Sequence, residues 1–242
     1  MAHSPLVLPQ EVAHHLRVLR LKKDDVFTLF DGQGHEFETR LTVEIKNLSA
    51  SAPICVELAA PTEVNRERKG RITLIQGLTT ADKMDWVIEK AVELGVHRVI
   101  PVTAQRSVLR LDARRAEKKH QHWQRIIQSA SEQCGRNVLM QIDSVCSLDL
   151  ALANRTDNTQ ASLLWVAHPE DARPMIECAD GAKKLIQAID LAIGPEGGWS
   201  PQELALFLQK PNTQMLSLGN RILRAETAGL AAVSMLGAYL GW

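Results

Sequence analysis

Apolar positions change their period part-way along the chain. Over the first sixty or so residues they come in short runs separated by turn residues. Val26-Phe27-Thr28-Leu29-Phe30 is followed by Asp31-Gly32-Gln33-Gly34, then by β-type runs over residues 36–45 and 54–58. Asp-Gly between such runs predicts a hairpin. Several short strands at close spacing predict a small barrel or curled sheet. Ahead of them, Val12, Leu16 and Leu19 recur at helical spacing, which predicts a short helix over residues 11–21. The stretch Pro61 to Gly70 (PTEVNRERKG) is polar, charged and bounded by proline and glycine. That is linker composition, and it divides the chain into a domain over residues 1–64 and a second over residues 71–242.

From Arg71 onward strands alternate with longer helical stripes. Strands are predicted over residues 72–76, 99–102, 138–142, 162–167, 189–193 and 215–218. Met84, Val87, Ile88, Ala91 and Leu94 make one helical stripe, closed by Gly95. Residues 112–133 make a longer one, with Trp123, Ile126, Ile127 and Ala130 on one face. This alternation predicts an α/β domain, a mostly parallel sheet with helices on both faces. The last segment, residues 227–242, has no charge, and Leu230, Val233, Met235, Leu236, Tyr239 and Leu240 are spread around the helix rather than along one stripe. Ala228, Gly229, Ala231, Ala232, Ser234, Gly237 and Ala238 supply small surfaces between them. A helix apolar nearly all round must be buried on most sides. The domain's own sheet covers one side, and the simplest cover for the other is a second copy across a two-fold axis. A homodimer is therefore expected, the alternative being a central helix buried within one chain.

Composition narrows the class. The chain has 242 residues with 28 basic and 28 acidic side chains, so it is not a uniformly basic nucleic-acid coat, although a local basic face remains open. Aromatics are 4% of a 45% hydrophobic chain, so aliphatic packing dominates. Cys55, Cys134, Cys146 and Cys178 are scattered without a C-x-x-C pair, which argues against a zinc ribbon or a disulfide framework. The start carries no basic region followed by an apolar run. Residues 227–242 are fewer than the ~20 needed to cross a bilayer. A cytoplasmic protein off the membrane is expected. Basic residues are uneven: Arg106, Arg110, Arg114, Arg115, Lys118, Lys119 and Arg125 face only Asp112 and Glu117 between residues 105 and 125, and Arg17, Arg20, Lys22 and Lys23 form a second group. Such clusters fit an RNA backbone footprint, or a solvated helix face.

In open α/β sheets ligands bind beyond the carboxyl ends of the strands, and two strand ends here are unusual. The first runs Ile193-Gly194-Pro195-Glu196-Gly197-Gly198-Trp199-Ser200-Pro201-Gln202-Glu203. Three glycines in five residues let the backbone turn sharply and approach a ligand. Ser200, Pro201 and Glu203 then spell a helix start with a capping box. Glu196 stands as a carboxylate between a proline and two glycines. The second runs from Leu216 through Gly219, Arg221, Ile222 and Leu223 to Arg224-Ala225-Glu226-Thr227-Ala228. Arg224 is poorly placed at a helix N-terminus, where the dipole favours anions, which suits a residue serving a ligand. There is no G-x-G-x-x-G after the first strand of this domain, no G-x-x-x-x-G-K-[ST] and no paired-histidine spacing. Dehydrogenase, P-loop and metalloenzyme readings are therefore poor, and no metal is expected.

The segments IGPEGG (193–198) and LGNRILRAETA (218–228) together resemble the RsmE family of ribosomal RNA uridine-N3 methyltransferases, members of the SPOUT superfamily. HLRVLRL (15–21) with Phe30-Asp31-Gly32 resembles that family's N-terminal domain. Lys83, Lys90, Glu93, Leu94 and Gly95 resemble its first catalytic-domain helix. Arg106-Ser107-Val108 and Glu132-Gln133-Cys134-Gly135-Arg136 resemble its substrate-side loops. The family's usual opening strand, with an arginine and an aromatic residue, has no match in Met1-Ala-His-Ser-Pro, so it is expected to be absent or replaced.

The resemblance implies a SPOUT-type parallel sheet with a C-terminal trefoil knot, preceded by a small PUA- or OB-like β-barrel for RNA. Periodicity alone would predict no knot. It implies S-adenosylmethionine as cofactor, a homodimer, and as substrate one uridine of 16S ribosomal RNA near the decoding site of the small subunit. Around the cofactor it implies Leu164, Ile193, Gly194, Pro195, Glu196 and Gly198, then Leu216, Ser217, Leu218 and Gly219, then Arg221, Ile222, Leu223 and Thr227. On the RNA it implies Arg17, Arg20, Arg106, Arg110, Arg114, Glu132, Gln133 and Arg136. Uracil N3 is a poor nucleophile while protonated. A catalyst must help remove that proton or stabilise charge on the uracil oxygens, and align the nitrogen with the methyl group. Arg224 is the candidate to polarise a uracil oxygen, and Glu196 or Glu226 to orient the cofactor's amino-acid part or accept a proton. The competing readings are a related enzyme acting on transfer RNA or a ribose hydroxyl, and a non-catalytic RNA-binding assembly factor.

Overall fold

The computed structural model describes residues 4–49, 51–155, 162–170, 172–180 and 187–242. Met1 to His3, part of the start read above, lie outside the described residues. The chain divides into two compact units, Met1–Arg66 and Glu67–Trp242.

The first unit runs β1 (Ser4–Val7), α1 (Gln10–Val18), β2 (Val26–Phe30), β3 (His35–Leu41), a 3-10 turn (Ile45–Asn47), β4 (Cys55–Leu58) and β5 (Thr62–Glu63). The β2–β3 connection is the hairpin expected from Asp-Gly. Gly32 and Gly34 take φ of +77° and +106°, and the Asp31 carboxylate accepts from the Gln33 and His35 N–H groups at 2.7 and 3.2 Å. The strand expected over residues 36–45 stops at Leu41, and Ile45 opens the 3-10 turn with its side chain in the core beside Leu16, Leu41, Ile54 and Val56. Helix α1 stops at Val18, earlier than expected, and Arg20 follows in the left-handed region at φ +57°. The antiparallel sheet runs in the order β1-β4-β3-β2 with β5 beside β3, so the closely spaced short strands pair as one sheet, as expected. At the start, β1 pairs with β4 from Ser4 opposite Leu58 to Val7 opposite Cys55, and its SPLV carries neither the arginine nor the aromatic residue of the family's usual opening strand. Its Pro5 hid it in the sequence, and an edge strand is where a proline is tolerated.

The second unit runs β6 (Arg71–Gly77), α2 (Ala81–Glu93), β7 (Arg98–Thr103), α3 (Ala113–Cys134), β8 (Gln141–Ile142), β9 (Cys146–Ser147), α4 (Leu148–Ala153), β10 (Ser162–Ala167), β11 (Arg173–Pro174), α5 (Met175–Asp180), β12 (Ala188–Ile193), α6 (Pro201–Leu208), β13 (Thr213–Ser217) and α7 (Ala225–Leu240). The sheet is parallel throughout, in the order β11-β13-β10-β12-β6-β7-β8 with β9 beside β7. Its inner strands are covered on both faces, which is why they read as near-continuous apolar runs. Ile72, Leu74, Trp165, Ile189 and Leu191 join one core with the apolar faces of α2, α3 and α7. Ile75, Leu164, Val166 and Ala192 join another that includes Trp199 and Phe207. The strand expected over residues 138–142 shrinks to β8, and the short helices α4 and α5 carry too few turns to show a period.

Helix α7 sits low on the sheet because Gly229 has no side chain. A Cβ there would lie 3.3 Å from Leu74 Cδ1 and 3.4 Å from Ile193 Cγ1. The helix buries most of its circumference within its own chain, including Ala232, Val233 and Leu236 at 0% exposure. Thr227, Ser234 and Ala238 remain exposed along one side. No helix among the described residues is long and apolar enough to cross a membrane.

Candidate active site

The carboxyl ends of β10, β12 and β13 open into a cavity of about 790 Å³. Two walls are the glycine-bearing loops. After Ile193 the chain folds back on itself: the Gly198 N–H donates to the Pro195 carbonyl at 2.8 Å, with Gly198 at φ +69°. A Cβ on Gly194 would lie 3.1 Å from the Gly198 backbone, and one on Gly77 would lie 2.6 Å from Pro195. The turn therefore depends on missing side chains on both sides. Ser200 then caps α6, its Oγ accepting from the Glu203 N–H at 3.2 Å while Glu203 Oε2 accepts from the Ser200 N–H at 2.8 Å. The other oxygen, Glu203 Oε1, accepts from the Gln105 N–H at 2.8 Å. Arg106 fastens the loop from outside, donating to the carbonyls of Gly197 and Trp199 at 3.1 and 3.4 Å.

The other wall follows β13. The Gly219 N–H donates to Ser217 Oγ at 3.2 Å, and Gly219 takes φ +112°. Ile222 stands 85% exposed. Arg224 is extended at φ −64°, ψ 151°, and its carbonyl accepts from the N–H groups of Thr227 and Ala228 to start α7. Its guanidinium makes no side-chain cap to that helix, and the residue is exposed at the cavity.

Between the loops lies a charge arrangement that the sequence did not single out. Lys83 Nζ is 3.1 Å from Glu196 Oε1 and 3.4 Å from Glu226 Oε2. Glu196 Oε1 also accepts from the Thr80 N–H at 3.5 Å. Burial alone would push the Glu196 carboxyl up, but a bond from its own backbone N–H, with those from Lys83 and Thr80, holds it below the usual carboxylate range. The hydrogen bond to Glu196 is the main cause that pushes the Lys83 ammonium up. Glu226 Oε2 is shut from solvent and has no aligned hydrogen bond beyond this ion pair.

Most of the expected cofactor and catalytic residues meet here. Ile193, Gly194, Pro195, Glu196, Gly198, Leu216, Ser217, Leu218, Gly219, Arg221, Ile222, Leu223 and Arg224 line the cavity. Three do not. Leu164 is 0% exposed in the core, because alternation along β10 turns its side chain into the sheet packing. Thr227 is exposed in the first turn of α7, off the cavity wall, and Glu226, also off that wall, is joined to the site by its ion pair with Lys83. Sequence reasoning gave no cofactor role to Lys83, Arg106, Trp199, Asn220 or the end of β10 at Ala167, His168, Pro169 and Glu170, all of which line it. The β10 end carries no glycine signal, and Arg106 stood out only as a positive charge.

Of the expected RNA residues, Arg20, Arg106, Arg110, Arg114, Glu132 and Gln133 are exposed. Arg136 is corrected: it is 5% exposed, clasped by both Glu67 oxygens at 2.8 and 2.6 Å and donating to the carbonyls of Val92 and Val96. A guanidinium so enclosed is a structural tie. Arg17 is half-buried and donates to the carbonyls of Ser49 and Ala52, so part of its donor capacity is spent on its own unit.

The chain matches a family model described as an RNA methyltransferase domain over residues 66–237, and one described as an RNA methyltransferase PUA domain over residues 8–49. It is 32% identical to the ribosomal RNA small subunit methyltransferase E of Bacillus subtilis, over 94% of this chain and 87% of that protein. The chain belongs to this family. A member from Buchnera aphidicola is 30% identical over 95% of this chain and 88% of its own. Among solved structures, the family member from Neisseria gonorrhoeae bound to S-adenosyl methionine superposes with a TM-score of 0.87 at 33% identity, covering 98% of this chain and 93% of that one. A structure from Legionella pneumophila in complex with bound cofactor SAM gives 0.86 at 32% identity, with the same coverage. The parallel sheet of the second unit and the antiparallel sheet of the first are thus the family's architecture.

Whether this chain's own residues suit such a cofactor is testable on the cavity. An ideal Cβ on Gly198 or Gly219 meets nothing within 4 Å, so open space lies against bare backbone on both walls. Flanking it are apolar side chains for a flat ring, Leu218, Ile222 and Leu223, and carboxylates for a cationic group. The residues fit.

Proposed function

We propose that the protein transfers a methyl group from S-adenosylmethionine to N3 of a uridine near the decoding site of 16S ribosomal RNA, in the small ribosomal subunit. The observation that carries the reading is the cavity at the carboxyl ends of β10, β12 and β13, walled by the two glycine-bearing loops of a chain in this family. When bound, the cofactor supplies an electrophilic methyl group on a cationic sulfur. Backbone groups of Gly194, Leu218, Gly219 and Leu223 hold its adenosine, and Ile222 covers the ring. Arg224, exposed at the cavity, is the group to polarise a uracil oxygen and stabilise the charge that develops as N3 loses its proton. Glu196 is held ionised and low, which makes it a weak proton acceptor and suits it to orient charge instead. Because N3 is buried in any base pair, the RNA must present the uridine unpaired.

Exposed Arg20, Lys22 and Lys23 in the PUA-like unit, and Arg106, Arg110 and Arg114 beside the cofactor loop, supply the phosphate contacts. The exposed line of Thr227, Ser234 and Ala238 on α7 supports a homodimer packed across that helix. The sheet order, with β13 and β10 beyond β12, is compatible with a C-terminal knot as in the SPOUT superfamily. A cytoplasmic location follows from the ribosomal substrate.

The test is methyl transfer from labelled cofactor to small ribosomal subunits, with the product nucleoside identified by mass spectrometry. The expected product is 3-methyluridine. A methylated ribose, a modified transfer RNA, or cofactor binding without turnover would each overturn the reading.

A further inference from the structure

Lys83 sits in the first turn of α2, where the helix dipole disfavours a cation. Its ammonium is nonetheless held by two carboxylates from two other parts of the chain: Glu196 on the loop after β12 at 3.1 Å, and Glu226 in the first turn of α7 at 3.4 Å. Glu196 also accepts from the Thr80 N–H just ahead of α2. The two carboxylate-bearing segments are the two walls of the cavity, which Lys83 itself lines. Without the ammonium, Glu196 and Glu226 would lose their shared counter-charge, with Glu226 Oε2 shut from solvent and otherwise unpaired.

Resting on the methyltransferase reading, we infer that Lys83 is a positioning residue of the cofactor site: by sharing its ammonium between Glu196 and Glu226 it ties both cofactor loops to α2 in their binding geometry. Removing the charge has a consequence that a filler role lacks. Like charges sharing a site raise a carboxyl's pKa, so one of the pair must take up a proton before the loops can close. Other charged groups face the same cavity: Arg106, His168, Glu170, Arg221 and Arg224. On α2 itself Asp82 is exposed, and Asp85 is occupied by Lys119, His122 and Trp123. All are unchanged between the variants below, so differences among the profiles report the triad.

The experiment is calorimetric binding of S-adenosylmethionine to the full chain from about pH 5.5 to about pH 8, with thermal melts run alongside. Lys83→Met should bind about tenfold or more weakly near neutrality and show an inflection, absent from the parent, below which affinity recovers. Lys83→Arg should bind within about threefold of the parent with the parent's profile. Lys83→Met/Glu226→Gln, which leaves one carboxylate, should lose the inflection. Parental affinity and profile in Lys83→Met would overturn the inference, as would an equal loss at every pH. Should Lys83→Met fail to fold, the test passes to the other two. Loss of binding in Lys83→Arg, or an inflection that persists in the double variant, then overturns it. A parent chain that binds no cofactor would overturn the methyltransferase reading itself, a result separable from all of these.

Discussion

Gly197 and Gly219 are constrained for different reasons. At Gly219 there is room for a side chain but φ is +112°, where a β-branched residue costs about 1–3 kcal/mol. At Gly197 a Cβ would lie 2.9 Å from Arg106 Cβ, pushing the loop off the arginine that fastens it. We expect Gly219→Val and Gly197→Val each to lower cofactor affinity by about tenfold or more and to lower the melting temperature by about 2–4 °C per kcal/mol of strain, measured by titration calorimetry and thermal unfolding. Arg136 carries a different expectation. Arg136→Glu should unfold the unit rather than weaken RNA binding, because breaking a buried ion pair costs about 3–5 kcal/mol and the Glu67 carboxylate would face a like charge. Glu196 predicts a pH dependence of stability. Its folded pKa lies below the ordinary glutamate value, so its stabilisation is present above that ordinary value and is lost as pH falls through the folded pKa. Glu196→Gln should therefore melt lower than the parent near about pH 7, with the difference closing as pH falls through the folded pKa of Glu196.

At the scale of elements, α6 and α7 show how much a helix end decides. Ser200, Pro201 and Glu203 specify the start of α6 locally, and Ser200→Ala should cost about 1 kcal/mol of stability. Glu203 does more, because its second oxygen holds the Gln105 N–H on the loop after β7 and the residue is 4% exposed. Glu203→Ala should cost more than Ser200→Ala, a ranking that denaturant unfolding would check. In α7 the uncharged sequence offers Ala232 and Ser234 alike as small surfaces for a dimer. The structure separates the two. Ala232 is 0% exposed within its own chain, so Ala232→Asp should lower the melting temperature. Ser234 is exposed, so Ser234→Asp should leave the fold intact and yield monomers in sedimentation. A parent chain that is already monomeric would remove the dimer proposal.

At the scale of the whole molecule, a neutral chain must bind a polyanion through local charge. If the exposed arginines contact phosphates, affinity for the RNA should fall steeply with salt, and Arg110→Glu with Arg114→Glu should flatten that slope as well as weaken binding. Filter binding across a salt series measures both, and a slope unchanged from the parent would count against an RNA face on this segment. The division into units falls at Arg66, inside the polar stretch from Pro61 to Gly70.

Sequence alone determined what local chemistry controls. The Asp-Gly hairpin, the Asp112 cap on α3, the left-handed Gly95 after α2 and the capping box of α6 are each set by a few neighbouring residues. The two glycine-bearing loops were legible for the same reason, since a tight turn advertises itself in glycine and proline. Tertiary structure alone decided the rest. It turned Leu164 into the sheet core and enclosed Arg136 with Glu67, sixty-nine positions away. It brought Lys83 to Glu196 and Glu226 across more than a hundred residues of chain. Such pairings depend on which strand lies beside which, and the parallel order β13-β10-β12-β6 is set by long-range packing that leaves no periodic trace in the segments it joins.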